Sequence, residues 1–268
     1  MSSSLHPEDE IELGFFEHLR ELRTRVVRAL IGILPAILIA WAFKERILGE
    51  TLAPLVTAYE RHGIDAQIHF SSPAAKIIAY LKLSILAGFF LAAPWIFYQI
   101  WAFVSPGLYR REKLMAIPFV LASTLCFVGG ALFGYFLVFP LIFDTLIGFG
   151  GEVPGIELTP TLMIAEVLDF IIRLIIAFGA VFEVPVVVVF LAISGIVDWR
   201  TLLRFGRYWA VIAAVLAAII TPPDAVSQLM LLGPMIILYY AAVLIAYILT
   251  AGRTKESSID EDGTEYER

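Results

Sequence analysis

The chain alternates between long apolar stretches and short polar ones along most of its length. A helix rises about 1.5 Å per residue and a bilayer has a hydrocarbon core about 30 Å thick, so about 20 apolar residues can cross it. We therefore predict an all-α integral membrane bundle of six spanning helices. Their predicted bounds are 26–43, 77–101, 114–143, 163–192, 208–221 and 226–249.

Prolines occur within these predicted helices, at positions 35, 94, 118, 140, 185 and 234. Proline removes one backbone hydrogen bond, but neighbouring helices can satisfy the freed carbonyl group, so we expect kinked helices rather than broken ones. The fifth helix is predicted to be short, because only fourteen residues separate Arg207 from Pro222. The sixth carries Pro234 near its start. We expect this short pair to thin the bilayer locally or to be buried against its neighbours.

Polar segments outside the spans define three regions. We predict an acidic N-terminal tail over residues 1–14, the membrane domain over 15–250 and a disordered acidic cytoplasmic tail over 251–268. Residues 1–17 lack the basic start and apolar core of a cleavable signal peptide, so the first apolar stretch is expected to remain as a spanning helix. Residues 44–75 mix apolar and polar positions, which predicts a short amphipathic helix in the membrane interface.

A second amphipathic pattern precedes the first span. Phe15, Leu19 and Leu22 recur at helical spacing, which predicts a helix along the membrane surface. Glu21 and Arg25 on this stretch are four residues apart, so helix geometry allows an ion pair between them.

Composition and charge refine this interpretation. The chain is 60% hydrophobic and 16% charged, whereas soluble domains contain about 25% charged residues. Thirteen of the nineteen Lys and Arg residues lie in the N-terminal segment up to Arg28, the second and fourth connections and the C-terminal segment. The opposite connections carry only Lys44, Arg46 and Arg61. Basic connections face the cytoplasm, so we expect both termini to be cytoplasmic.

The motifs of nucleotide-binding and hydrolytic enzymes are missing from the sequence. The four histidines have no metal-ligand spacing, and the lone Cys126 cannot form an internal disulfide. We therefore expect no catalytic residues, cofactor, bound metal or nucleic-acid partner.

Ionisable and polar residues within spans are the first candidates for function. Glu183 has no partner within one helical turn, so it is expected to be protonated, hydrated or bonded to another helix or chain. Lys82 lies near the end of a span and can reach outward to the surface. Thr221 and Gln228 flank the turn between the last two spans.

The polar connection around Glu112 is the second candidate. The segment Trp101–Glu112 separates two uncharged stretches, which predicts a hairpin tip at the membrane surface. Glu112 is the only acid among the bases of this tip. It is either part of a surface ion pair, worth about 0–1 kcal/mol, or a binding group, and the same two readings are open for Glu21.

Six motifs in fixed order distinguish this chain from an arbitrary six-span protein. They are His18–Arg23 (HLRELR), Ala53–Leu55 (APL), Tyr98–Glu112 (YQIWAFVSPGLYRRE), Phe133–Pro140 (FGYFLVFP), Phe182–Pro185 (FEVP) and Thr221–Gln228 (TPPDAVSQ). Together they resemble the TatC family, the six-span receptor subunit of the twin-arginine protein translocase, over essentially residues 15–250.

This resemblance implies that Glu21 and Glu112 bind the paired arginines of a cargo's signal peptide at the cytoplasmic face. Arg23 would orient Glu21, and Phe103 and Leu108 would contact apolar residues beside the arginine pair. A guanidinium binds a carboxylate through two parallel hydrogen bonds, whereas an ammonium is a point charge. Replacing the paired arginines by lysines is therefore expected to weaken docking.

The resemblance also implies partners. Glu183, Thr221 and Gln228, with Lys82, would make polar contacts with single-span TatA-type and TatB-type subunits in the bilayer. The implied protein is a homo-oligomeric receptor and assembly core in the cytoplasmic membrane that exports folded proteins using the proton gradient.

Two other classes serve as alternatives. A secondary transporter or channel for a small solute would need a polar path across the membrane and inverted repeats. An intramembrane enzyme would need a nucleophile with its base, or a metal set. The sequence presents neither arrangement within its spans.

Overall fold

The computed structural model describes the backbone of residues 7–65, 68–104, 116–148, 151–153, 156–158, 162–221 and 224–263. Side chains are described within these ranges from residue 16 to residue 250, except at 116 and between 149 and 161. Helices dominate. They are α1 (Pro7–Ala42), α2 (Lys44–Arg61), α3 (Pro73–Leu91), α4 (Ala93–Val104), α5 (Ala116–Phe133), α6 (Phe139–Gly148), α7 (Ile164–Phe182), α8 (Val184–Ile193), α9 (Trp199–Ile220) and α10 (Ala225–Gly263).

Six of the described helical segments are long and apolar enough to cross a bilayer, which confirms the predicted number of spans. They are Phe16–Ala42, Pro73–Leu91, Ile117–Gly148, Ile164–Ile193, Trp199–Ile220 and Ala225–Thr250. Many large apolar side chains on these helices are exposed in the isolated chain. A lipid environment accounts for that exposure, because helices in a bilayer need not hide apolar surface from water.

Three helix interruptions lie two residues before a proline. Ala92 separates α3 from α4 ahead of Pro94, and Glu183 separates α7 from α8 ahead of Pro185. A π-helical turn at Gly134–Val138 joins α5 to α6 ahead of Pro140. Proline has no N–H for the carbonyl four residues earlier, so the backbone changes its hydrogen-bond pattern at these points.

The fifth span is longer than predicted, whereas the sixth agrees closely with its predicted bounds of 226–249. Helix α9 has 22 residues, about 33 Å of helix, and the apolar part of α10 extends from Ala225 to Thr250. The predicted fifth span is too short because the uncharged apolar stretch begins only after Arg207, whereas the helix itself already begins at Trp199. Arginine is a good helix former and can reach out of the hydrocarbon layer, so it does not end a helix.

The predicted surface helix before the first span is not a separate element. Helix α1 runs for 36 residues from Pro7 to Ala42 without a break. It therefore begins within the predicted N-terminal tail. At the other end of the chain, α10 continues to Gly263, into the segment predicted to be disordered.

Short strands occur between the helices, a feature that the all-α prediction did not include. Strand β1 (Ile68–His69) pairs in parallel with β4 (Leu162–Met163). Strands β2 (Gly151–Val153) and β3 (Ile156–Leu158) form an antiparallel pair. The predicted amphipathic helix within residues 44–75 is confirmed as α2, which buries Leu55, Tyr59 and four further residues.

Packing divides the chain into two compact units. The first comprises Met1–Leu48 and Tyr80–Thr124, and the second comprises Gly49–Ala79 and Leu125–Arg268. In the second unit, α10 packs against α8 and α9. Tyr239 lies at the centre of that contact, where its hydroxyl donates to the carbonyl of Leu202 at 2.7 Å.

The first unit joins α1 closely to α3 and α4. Ala36 packs with Ala92 and Ile96 in a small apolar core. A side-chain carbon added at Gly88 would lie 2.7 Å from the Cα of Ile37, so the two backbones are nearly in contact there. Nearer the start of α1, the indole nitrogen of Trp95 donates to the carbonyl of Arg28 at 2.9 Å.

Candidate functional site

The candidate site lies in the first unit, where the polar part of α1 meets the end of α4. Arg25 Nη2 donates to Glu21 Oε1 at 3.2 Å, which confirms the predicted ion pair. The Glu21 side chain is 32% exposed and that of Arg25 is 23% exposed. The carboxylate is thus partly shielded from water but still accessible to a ligand.

Arg25 also contacts a residue that the sequence analysis did not select. Its Nη1 donates to Gln99 Oε1 on α4 at 3.5 Å, and Gln99 is only 2% exposed. A buried amide is costly unless it is hydrogen-bonded, so this contact stabilises both side chains. One guanidinium group therefore links an accessible carboxylate on α1 to a buried amide on α4.

Phe103 is fixed at the end of α4. Its ring stacks on the imidazole of His18, with ring centroids 4.4 Å apart and an interplanar angle of 21°. Two residues earlier, the indole nitrogen of Trp101 donates to Ser123 Oγ at 3.0 Å, and its ring stacks on Phe119. These contacts hold the end of α4 against α1 and α5.

A cleft of about 520 Å³ opens along this part of α1. Among the described residues it is lined by Glu17, His18, Arg20, Glu21, Thr24, Arg25 and Arg28. Charged side chains of both signs border it, so a ligand with cationic groups would have to compete with the arginines of α1.

The other residues predicted for this site have different outcomes. Glu112 and Leu108 lie outside the described residues. Arg23 is exposed, and the described ion pair of Glu21 is with Arg25. The structure thus brings Glu21 and Arg25 together, rather than Glu21 and Arg23, because a helix places residues four apart on one face and residues two apart on different faces.

A second polar group lies at the turn between α9 and α10. The Thr221 hydroxyl donates to the carbonyl of Ala217 at 2.8 Å, and Gln228 Nε2 donates to the carbonyl of Ala214 at 3.4 Å. Asp224 Oδ1 accepts the backbone N–H of Ser227 at 2.7 Å and so caps α10. Within the described residues, Asp224 Oδ2 and Ser227 Oγ are buried without a hydrogen bond.

Glu183 and Lys82 complete the predicted intramembrane set. Glu183 lies at the break between α7 and α8 with Oε1 buried. It belongs to the same unit as Thr221 and Gln228. Lys82 is half-buried on α3 and belongs to the other unit.

Sequence reasoning missed Gln99 as a functional candidate, and it gave Arg25 no role beyond a possible ion pair with Glu21. Gln99 could have been found as the one amide in the apolar stretch 83–104. Its partner is 74 residues away in sequence, so no local spacing connects them. No cluster of metal-ligand side chains occurs in the described part of the chain.

Comparison with known proteins agrees with this architecture. The family model for TatC, Sec-independent protein translocase protein, matches residues 17–234. The TatC protein of Desulforapulum autotrophicum is 40% identical over 253 residues, covering 94% of this chain and 90% of that relative. The TatC protein of Aquifex aeolicus is 35% identical, covering 87% of this chain and 95% of that relative.

A solved structure has the same fold. The crystal structure of the twin-arginine translocase receptor TatC in DDM aligns with a TM-score of 0.76 at 35% identity, covering 85% of this chain and 99% of that one. The six apolar spans define a multi-pass membrane protein. With the sequence matches, they place the chain in the TatC family of Sec-independent protein translocase proteins.

Proposed function

We propose that this chain is the receptor and assembly core of a twin-arginine translocase, binding the paired arginines of signal peptides on folded cargo. The observation that carries the proposal is the accessible Glu21 carboxylate, which already binds a guanidinium group. A site that holds the guanidinium of Arg25 has the geometry and charge to hold that of a ligand. A solved relative in this family is described as the twin-arginine translocase receptor.

Glu112 supplies the second carboxylate in this proposal. Two carboxylates, one on α1 and one on the segment after α4, bind two neighbouring guanidinium groups. Phe103, fixed by its stacking on His18, offers an aromatic face beside the arginine pair, and Leu108 adds apolar contact. Arg23, exposed on another face of α1, would help to orient the carboxylate through its charge and not through a direct contact.

The location of the site follows from the basic connections. Because basic connections favour the cytoplasmic side, the proposal has both termini and the candidate site at the cytoplasmic face of the cytoplasmic membrane. Signal peptides on folded cargo reach the receptor from that side. The proton gradient supplies the energy for transport in this proposal.

The polar groups within the bilayer are proposed to bind partner subunits. The buried Asp224 Oδ2 and Ser227 Oγ lack hydrogen bonds among the described residues, and they lie beside Thr221 and Gln228. A polar side chain of a single-span TatA-type or TatB-type helix can bond to such groups. Each bond in a membrane contributes about 0.6 kcal/mol, so assembly through several of them is reversible.

Glu183 and Lys82 extend this set of partner contacts. Both are ionisable residues within spans, and such residues are commonly retained for contacts with other groups in the membrane. We include further copies of the chain among the partners, since a translocase assembled on demand brings several receptors together.

Peptide binding tests the receptor function. The full chain in lipid nanodiscs is titrated with a fluorescent signal peptide that carries two adjacent arginines. Glu21→Gln and Glu112→Gln are expected to weaken binding at least about tenfold, because each removes a charge-assisted hydrogen-bond pair. The same peptide with two lysines should bind more weakly to the unmodified protein.

Glu17→Gln is the matched control, since Glu17 lies one turn before Glu21 on the same helix. It removes the same charge and should weaken binding at most about twofold, the share due to long-range attraction. Unchanged affinity in both Glu21→Gln and Glu112→Gln would overturn the proposal. Equal binding of the arginine and lysine peptides would instead favour a transporter or channel.

A further inference from the structure

We propose that Arg25 is an internal competitor for the signal peptide, occupying Glu21 until a ligand guanidinium replaces it, and that Gln99 is the positioning residue that receives the displaced Arg25. This inference rests on the proposed receptor function and concerns the regulation of the same site. It is carried by a single guanidinium that bridges an accessible carboxylate and a buried amide.

The geometry of the ion pair shows that Arg25 uses only part of the carboxylate. The described bond joins Arg25 Nη2 to Glu21 Oε1 at 3.2 Å. A ligand guanidinium that binds in the two-bond arrangement needs both carboxylate oxygens. Each oxygen can accept two hydrogen bonds, but a second guanidinium at Oε1 crowds that of Arg25 and repels its charge, so binding of an arginine ligand favours release of Arg25.

Gln99 gives the displaced arginine an acceptor. Gln99 Oε1 already accepts from Arg25 Nη1, at a long separation of 3.5 Å. When Arg25 leaves Glu21, its guanidinium can shorten this bond without leaving its place between α1 and α4. The amide also keeps its hydrogen bond in both states, and a group that is 2% exposed needs one.

The exchange has a consequence for affinity. Glu21 is paired with a guanidinium before and after binding. The ligand therefore gains less binding free energy than it would gain at a carboxylate with no partner. Arg25 thus keeps the receptor weak enough to release its signal peptide. An ammonium group needs only one oxygen and can bind beside Arg25, so the internal competitor acts more strongly against arginine ligands than against lysine ligands.

The test compares variants of the full chain in lipid nanodiscs, titrated with synthetic peptides that carry two arginines or two lysines. Arg25→Gln is expected to tighten binding of the arginine peptide about three- to tenfold, and binding of the lysine peptide less. Arg28→Gln is the charge control, because Arg28 lines the same cleft and has no described bond to Glu21. It should tighten both peptides equally, by less than about twofold.

Two further variants separate competition from a structural role. Gln99→Glu offers Arg25 a stronger acceptor and should tighten binding of the arginine peptide, even where Arg25→Gln lowers the yield of folded protein. Gln99→Leu removes the acceptor and should weaken binding of the arginine peptide. In a Glu21→Gln background, Arg25→Gln should have no effect, because the competitor has lost the group for which it competes.

The outcomes distinguish this inference from the receptor function itself. If Glu21→Gln weakens arginine-peptide binding while Arg25→Gln leaves it unchanged or weaker, the receptor function stands and the internal competitor is overturned. If Arg25→Gln tightens binding of the arginine and lysine peptides equally, the internal competitor is also overturned, because removal of one positive charge accounts for that result. If Glu21→Gln has no effect, the internal competitor is overturned with it, and the receptor function itself fails only where Glu112→Gln has no effect either.

Discussion

Two regions of this molecule bring polar side chains to membrane helices, and they satisfy them in different ways. Between α1 and α4, the groups of Glu21, Arg25 and Gln99 bond to one another across two helices. At the turn between α9 and α10, Thr221 and Gln228 bond to backbone carbonyls of α9. Side chains paired with other side chains can exchange partners, whereas groups tied to a helix backbone mainly fix the local structure.

The difference indicates where a ligand can enter. In the proposed exchange, a ligand at the first region replaces one charged partner by another, so the polar groups are satisfied in both states. A partner at the second region must bond to polar atoms that have no hydrogen bond among the described residues, such as Asp224 Oδ2 and Ser227 Oγ. The first region is therefore suited to recognition of a charged peptide, and the second to weak association with another helix.

The largest effect on the free energy of unfolding is expected from a change that separates α1, the helix that carries Glu21 and Arg25, from α3. Gly88→Ala places a carbon against the backbone of Ile37, so α1 and α3 must move apart, at a cost of about 1–3 kcal/mol. Thermal unfolding can be followed through the reactivity of Cys126, the only thiol in the chain.

Gly129→Ala is the matched control for that change. Nothing lies within 4 Å of a carbon added at Gly129, and alanine favours a helix over glycine by about 1 kcal/mol. The control should therefore unfold at the same temperature as the unmodified chain or above it. Equal destabilisation by both substitutions would show that the close approach of α1 and α3 does not hold the first region together.

A smaller effect is expected at the second region. Asp224→Ala removes the cap on the first turn of α10 and should lower the free energy of unfolding by about 1 kcal/mol, measured by the same thiol assay. Asp224→Asn keeps a capping oxygen and should retain most of the stability. Arginine-peptide affinity should not change in either variant, and a large loss would contradict the separation of the two roles.

The smallest effect is expected from Thr221→Val. Among the described residues, the hydroxyl bonds to the carbonyl of Ala217 within the same helix turn, and the valine side chain has almost the same shape. The free energy of unfolding should change by less than about 0.5–1 kcal/mol, again by thiol reactivity. A larger loss would mean that this hydroxyl supports contacts beyond its own helix.

Sequence reasoning predicted the parts of this fold that depend on local spacing. The six spans follow from apolar length, and the Glu21–Arg25 pair follows from a step of four residues on a helix. The length of α9 was mispredicted, because hydropathy measures side chains and the helix is formed by the backbone. Gln99 was missed because its partner comes from another helix, and a single sequence does not show which helices pack together.

Helix α1 has a mechanical consequence. It begins at Pro7, carries Glu21 in its first half and continues without a break to Ala42, so its 36 residues correspond to a rod about 54 Å long, of which about 32 Å lie between Glu21 and Ala42. Apart from bending at Pro35, a tilt imposed where a peptide binds must reappear at the opposite membrane face. A receptor built on such a rod can report occupancy across the bilayer without any chemical signal passing between the two sides.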